Sequence, residues 1–171
     1  MKDRIKFNDA MLAAVMDGRK TQTRRPIDKE TLRLFDIASE AGECFHLGYN
    51  ADEPFEKYHL EFFPYGQVCG IINLADKDGN IKGKIEITDV RVEQLNHISE
   101  EDARAEGILM IDDNFGNGPA YCDYTLTDLY DTTEWFNRAS DSFISLWKSI
   151  YEAESWLNNP WVWVIEFNKV E

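Results

Sequence analysis

The stretch Gly18-Arg19-Lys20-Thr21-Gln22-Thr23-Arg24-Arg25-Pro26 gathers one glycine, two hydroxyls and four cations in a chain whose formal net charge is −14. Residues of these types at this density suit two kinds of chemistry. The cations can hold an anion such as a phosphate, and a lysine near a threonine can take the hydroxyl proton and turn the oxygen into a nucleophile. A plainer reading covers part of the set, since Arg19 and Lys20 follow an apolar helical pattern and would answer the negative end of its dipole. From Thr21 to Arg25 the residues alternate as a strand does, and Pro26 disfavours helix at Arg25. On such a strand Thr21, Thr23 and Arg25 share one face, with Gln22 and Arg24 on the other.

The elements that must position this segment are legible on either side of it. Ile5 to Phe7 suits a short strand, and Met11, Leu12, Val15 and Met16 mark a helix that Asn8 can cap and Gly18 can end. Leu32, Phe35, Ala38 and Ala41 predict a second helix between Asp28 and Gly42. Residues 42–66 read as a long loop packed by Phe45, Tyr49, Phe55, Tyr58, Phe62 and Phe63. Val68–Leu74 and Lys84–Val92 flank the turn signal Asp78-Gly79 and predict a hairpin whose second strand alternates cleanly, with one wet face. Ser99 opens a capping box for a short helix that Gly107 closes, with Glu106 at its end. Phe143, Ile144, Trp147, Ile150 and Tyr151 form one face of a last helix, and Trp161–Phe167 reads as a central or barrel strand.

Composition narrows the function classes. The chain has 171 residues and 43% apolar content, enough for a packed core and against disorder. No apolar run reaches the length of a membrane span, and the charged start MKDRIKF is not a signal peptide. Cys44, Cys69 and Cys122 form an odd, scattered set that reads as reduced thiols in a cytoplasmic protein. Cys44-x-His46 lacks the paired spacing of a zinc site, and the residues call for no metal or cofactor. Residues 1–33 carry nine of the eighteen Lys and Arg against five of the 32 acids. The rest of the chain is therefore strongly anionic and repels long polyanions, while a local cationic pocket can still take a nucleoside or a short single strand. From 105 to 137 there are seven acids and no Lys or Arg, which reads as an acidic inserted flap. Its tyrosines Tyr121, Tyr124 and Tyr130 are better candidates for stacking on a base than Trp147, Trp156, Trp161 and Trp163, whose positions suit a core.

Gly18-Arg19-Lys20-x-x-Thr23-x-Arg25 after a short helix resembles the opening motif of ASCH domains, a PUA-like β-barrel family associated with RNA and with prophage genomes. Three further stretches agree in order: Ile87-Thr88-Asp89-Val90-Arg91, Ile98 through Ile108, and Leu146–Tyr151 with Pro160–Phe167. The resemblance implies one α+β domain over residues 1–171, a PUA-like mixed β-barrel with peripheral helices and insertions near 28–63 and 109–140. A small group in that superfamily looks like amidohydrolases that remove the acetyl group of N4-acetylcytidine with a Lys, a Thr and a Glu. By position these are Lys20, Thr23 and Glu106, with Arg19, Thr21, Arg24 and Arg25 as substrate-binding neighbours. Lys20 would take the proton of Thr23, Thr23 would attack the acyl carbon, Glu106 would handle protons on the leaving amine, and Arg25 or backbone donors would hold the oxyanion. Cys69-Gly70-Ile71 departs from the family's usual glycine-aspartate. Three classes of function remain open on the sequence: such an amidohydrolase, a module binding single-stranded RNA or a modified nucleotide without catalysis, and a prophage accessory protein whose acidic flap meets a protein partner.

Overall fold

The computed structural model describes residues 1–49, 57–115 and 118–170. Phe55 lies outside them. The larger sheet has the order β1 (Arg4–Lys6), β3 (Ile71–Ala75), β4 (Ile81–Gln94), β8 (Trp161–Lys169) and β2 (Gln22–Pro26). All neighbours are antiparallel except β1 and β3. The run Val162-Trp163-Val164-Ile165 is buried without interruption, as expected of a strand covered on both faces.

β4 departs from the clean alternation expected of it. Its register against β8 shifts between Ile87 and Asp89. The sequence required this break, because Ile85 and Ile87 occupy one parity and Val90 and Val92 the other, yet all four are buried. One extra residue restores the apolar side chains to the core and turns Arg91 and Glu93 to the opposite face. Across three strands that face then carries Gln22 opposite Glu166, Arg24 opposite Val164, and Val164 opposite Arg91.

The helices follow their caps. Asn8 accepts from the Met11 amide to open α1 (Asp9–Met16), and Gly18 at φ 84° redirects the chain into the cationic segment. Asp28 caps α2 (Lys29–Glu40) through the Thr31 amide. α3 (Lys57–Leu60) interrupts what read as a long loop. Tyr58, Phe62 and Phe63 pack inward from this region, whereas Phe45 and Tyr49 stack on each other at the surface. Ser99 caps α4 (Glu100–Ala105), and the Glu100 carboxylate accepts from the first amides of α5 (Ala139–Ile150). Phe143, Leu146 and Trp147 of α5 are buried but Ile150 is exposed, so the apolar face is narrower than its spacing suggested. α6 (Ala153–Leu157) was not expected.

The sheet does not close into the expected barrel. Its edges β1 and β2 share no ladder. β1 spans three residues, all paired with β3, and Asn8 then begins the helix. A side chain spans the gap instead: Arg25 donates from Nη2 to the Lys6 carbonyl at 2.8 Å, and its guanidinium lies 5.0 Å from the centre of the Phe7 ring. The acidic segment forms a second sheet, β5 (Met110–Phe115), β6 (Gly118–Cys122) and β7 (Trp135–Phe136), packed on α5. Tyr121 and Tyr124 are buried there, and Tyr124 Oη accepts from the Leu109 amide. They are core residues and do not face a ligand. Among the described residues no helix is long and apolar enough to cross a membrane.

Candidate functional site

Where a closed barrel would have a β1–β2 ladder, the protein has a cavity of about 250 Å³. The end of β1, α1, β2 and α5 enclose it. Lys20, Thr23, Arg24, Arg25 and Glu106 supply its polar wall, and Phe7, Met11, Phe143, Leu146, Trp147 and Tyr151 its apolar one. Residues 106 and 20 are 86 apart in sequence and meet because the end of α4 hooks around the edge strand. The Thr21 amide donates to the Ala105 carbonyl, and Lys20 and Glu106 form an isolated antiparallel bridge. Gly107 makes the hook possible: its φ is +86°, and a Cβ there would lie 2.7 Å from Lys20 Cβ and 2.9 Å from Ala14 Cβ.

The bridge seats one buried ion pair. Lys20 Nζ donates to Glu106 Oε2 at 2.6 Å and to the Glu106 carbonyl at 2.9 Å, with both side chains at most 3% exposed. Two of three ammonium donors are thus engaged and one remains for the cavity. Burial pushes the Lys20 amine below its ordinary pKa. The Glu106 charge and hydrogen bond act against this, and the charges of Arg25 and Arg24 add to it. Thr23 is buried, and its hydroxyl makes no hydrogen bond to any described residue. Lys20 and Thr23 therefore share a wall without a direct bond between them.

The two arginines of β2 have opposite surroundings. Arg24, whose side chain is 0% exposed, reaches Glu106 Oε1 at 3.1 Å, Asp102 at 3.2 Å and Glu93 at 2.5 Å, and it also donates to the Gln22 side-chain carbonyl. Arg91 extends this network to Asp102 and Glu166. Asp102 is shifted upward by burial but further downward by Gln22, Arg24 and Arg91, so its carboxyl lies below its ordinary pKa. Arg25 has no carboxylate within ion-pair distance among the described residues. Tyr151 beside it is raised by burial, against the Arg25 charge, and stays a neutral hydroxyl.

Of the residues singled out in the sequence, Lys20, Thr23, Arg24, Arg25 and Glu106 come together at the cavity. Arg19 and Thr21 do not. Arg19 is held outside by Asp17 and donates to the Gly107 carbonyl at 2.7 Å, so it fastens the hook. Thr21 precedes the strand and is exposed. Sequence reasoning missed the aromatic wall. Trp147 and Tyr151 are one helical turn apart, with ring centres 4.2 Å apart, and that spacing was the available signal.

No protein-family model and no curated protein matches the chain. Three solved structures are similar to it over most of its length. One is a DUF984 protein from Enterococcus faecalis V583, 16% identical, covering 99% of this chain and 77% of that one, with a TM-score of 0.47. Another is the hypothetical protein PH0355, 14% identical, covering 99% and 100%, with a TM-score of 0.43. The third is an ASCH domain from Lactobacillus crispatus JV V101, 14% identical, covering 94% of this chain and 70% of that one, with a TM-score of 0.46. The ASCH family is the one that the motifs of the sequence resemble, and the chain itself has a mixed α+β arrangement.

Proposed function

We propose that the cavity binds a modified nucleoside and that Lys20, Thr23 and Glu106 hydrolyse an amide on its base, as in removal of the acyl group from an N4-acylated cytidine. The observation that carries this reading is the Lys20–Glu106 pair, buried at 2.6 Å in the wall of a cavity that Thr23 also lines, its hydroxyl bonded to none of the described residues. A buried lysine–carboxylate pair of this kind can pass a proton, because burial disfavours both charges and weakens the hold of the amine on its proton. The cavity lies just below the roughly 300–1,000 Å³ of drug-sized sites, which suits a ligand of base or nucleoside size. Phe7, Trp147 and Tyr151 offer ring faces for the base.

The steps follow from the residues. Glu106 accepts a proton from Lys20, and the neutral amine takes the proton of Thr23 as its oxygen attacks the acyl carbon. Tyr151 donates to the oxyanion that forms. Glu106 returns its proton to the amide nitrogen, the C–N bond breaks, and the amine of the base leaves. Glu106 then accepts a proton from Lys20 again, and water attacks the threonyl ester as the neutral amine takes its proton. Lys20 gives that proton to the departing threonine oxygen, and Glu106 returns its own to Lys20, which releases the carboxylic acid and restores the hydroxyl and the ion pair. The sum is one amide and one water giving one amine and one acid.

Incubation with N4-acetylcytidine tests this. Turnover by the wild-type protein should vanish in Thr23→Val while the thermal midpoint hardly changes. Its rate should rise with pH through an apparent pKa below the 10.5 of an ordinary lysine, in line with the lowered Lys20 amine. Equal turnover in Thr23→Val would overturn the nucleophile. Binding of the nucleoside without turnover would leave a recognition module.

A further inference from the structure

A second concavity of about 640 Å³ opens beside the cavity, and the two share Lys6 and Arg25. Its other lining residues are Met1, Lys2, Asp3, Arg4, Tyr65, Asp78 and Gly79. Resting on the nucleoside reading of the cavity, we infer that this cleft is a phosphate subsite, so that the ligand is a phosphorylated nucleoside whose phosphate is held by Lys2, Lys6 and Arg25.

The argument is how these cations are held. Elsewhere at the site, charge is cancelled by carboxylates: Lys20 by Glu106, Arg24 by three acids, and in the cleft itself Arg4 by Asp3 at 2.6 Å. Lys2, Lys6 and Arg25 have no carboxylate within 4.0 Å among the described residues. Asp28 acts on Lys2 only from beyond ion-pair distance, and the three cations are otherwise positioned by groups that leave their charge in place. Lys2 Nζ lies 5.1 Å from the Tyr65 ring centre and 3.5 Å from its hydroxyl. Arg25 rests on the Phe7 ring and the Lys6 carbonyl. Lys6 Nζ lies against Gly79, where a Cβ would come within 3.4 Å of it. Asp3 is occupied by Arg4, and the Asp78 charge is felt by Lys77 outside the lining. Three cations fixed around one hollow, in a protein of net charge −14, repel one another without gain unless an anion sits among them. Arg25 supplies a planar fork and the lysines point charges, the pairing that suits phosphate oxygens. Because Arg25 borders both hollows, a base in the cavity and a phosphate in the cleft belong to one ligand. The sequence had assigned phosphate to Arg19, Lys20, Arg24 and Arg25. Three of those four are engaged by carboxylates, Arg25 is the fourth, and the two lysines that join it come from β1 and the residues before it.

The experiment is calorimetric titration with cytidine, its 5′- and 3′-monophosphates, and a cytidine trinucleotide. One monophosphate should bind about tenfold more tightly than cytidine. That ratio should fall at least threefold in Lys2→Ala and in Lys6→Ala, and also with rising salt in the wild-type protein. If the trinucleotide keeps the advantage the phosphate comes from an RNA chain, and if it loses it the ligand is a free nucleotide. Cytidine binding with equal affinity for both monophosphates would overturn the subsite and spare the cavity reading. Failure of cytidine and every phosphorylated form to bind would overturn both.

Discussion

The two faces of β2 carry similar residues in opposite states. On one, Gln22 and Arg24 are locked among Glu93, Asp102, Glu106 and Glu166, with every carboxylate set against a cation or an amide. On the other, beside a cavity, the Thr23 hydroxyl has no hydrogen bond and Arg25 no carboxylate partner among the described residues. A single strand thus separates charge used for stability from charge left for a ligand, and Glu106 at the strand edge touches both through its two oxygens. Density of cations in the sequence marked the strand correctly, but burial and pairing decide which of them has anything left to offer.

Arg24→Met tests the locked face most severely. It leaves three carboxylates facing one another without their shared cation, and chemical denaturation should show a loss of about 3–5 kcal/mol. Arg25→Met should cost less than about 1.5 kcal/mol, since one hydrogen bond to the Lys6 carbonyl is removed and no carboxylate is abandoned. Comparable losses for the two would erase the distinction between the faces.

Gly107→Ala acts on the hook that joins them. The added methyl meets Lys20 and Ala14 Cβ atoms below 3.0 Å in a backbone of positive φ, so a stability loss of about 1–3 kcal/mol should accompany displacement of Lys20 from Glu106. A variant with wild-type stability and turnover would show that the close approach is not needed.

Asp102→Asn should have the smallest effect, about 1 kcal/mol at neutral pH, because the carboxylate is partly exposed and its partners retain other acids. The sign follows from its lowered pKa. The ionised group stabilises the folded state above its ordinary value of 3.8, and that contribution is lost as pH falls through the folded pKa. Denaturation midpoints of wild type and variant should therefore converge below about pH 3.8. A gap constant with pH would mean that the carboxylate's charge plays no part.

Local signals were read well wherever they were self-contained. Asn8, Asp28 and Ser99 cap the helices they were expected to cap, Gly18 and Gly107 end them with positive φ, and Trp161–Phe167 lies inside a central strand. Each depends on neighbours within a few residues, which any pattern of spacing reports. The bulge in β4 was also written in the chain, in the change of parity between Ile87 and Val90, but only its inward packing shows what the change is for. Tyr121 and Tyr124 misled because polar neighbours suggested exposure, whereas the second sheet buries them against α5.

The sequence by itself determined which residues could do chemistry and on which strand they lie. It also determined the turns and caps, because these are short-range matters of backbone geometry and hydrogen-bond donors. The tertiary structure alone decided that β1 and β2 stay apart and leave a cavity. It decided that Glu106 reaches Lys20 across 86 residues, and that Arg24 is cancelled while Arg25 is not. Ion pairing and desolvation depend on distances of a few ångströms between segments remote in sequence, and residue type and spacing do not encode them.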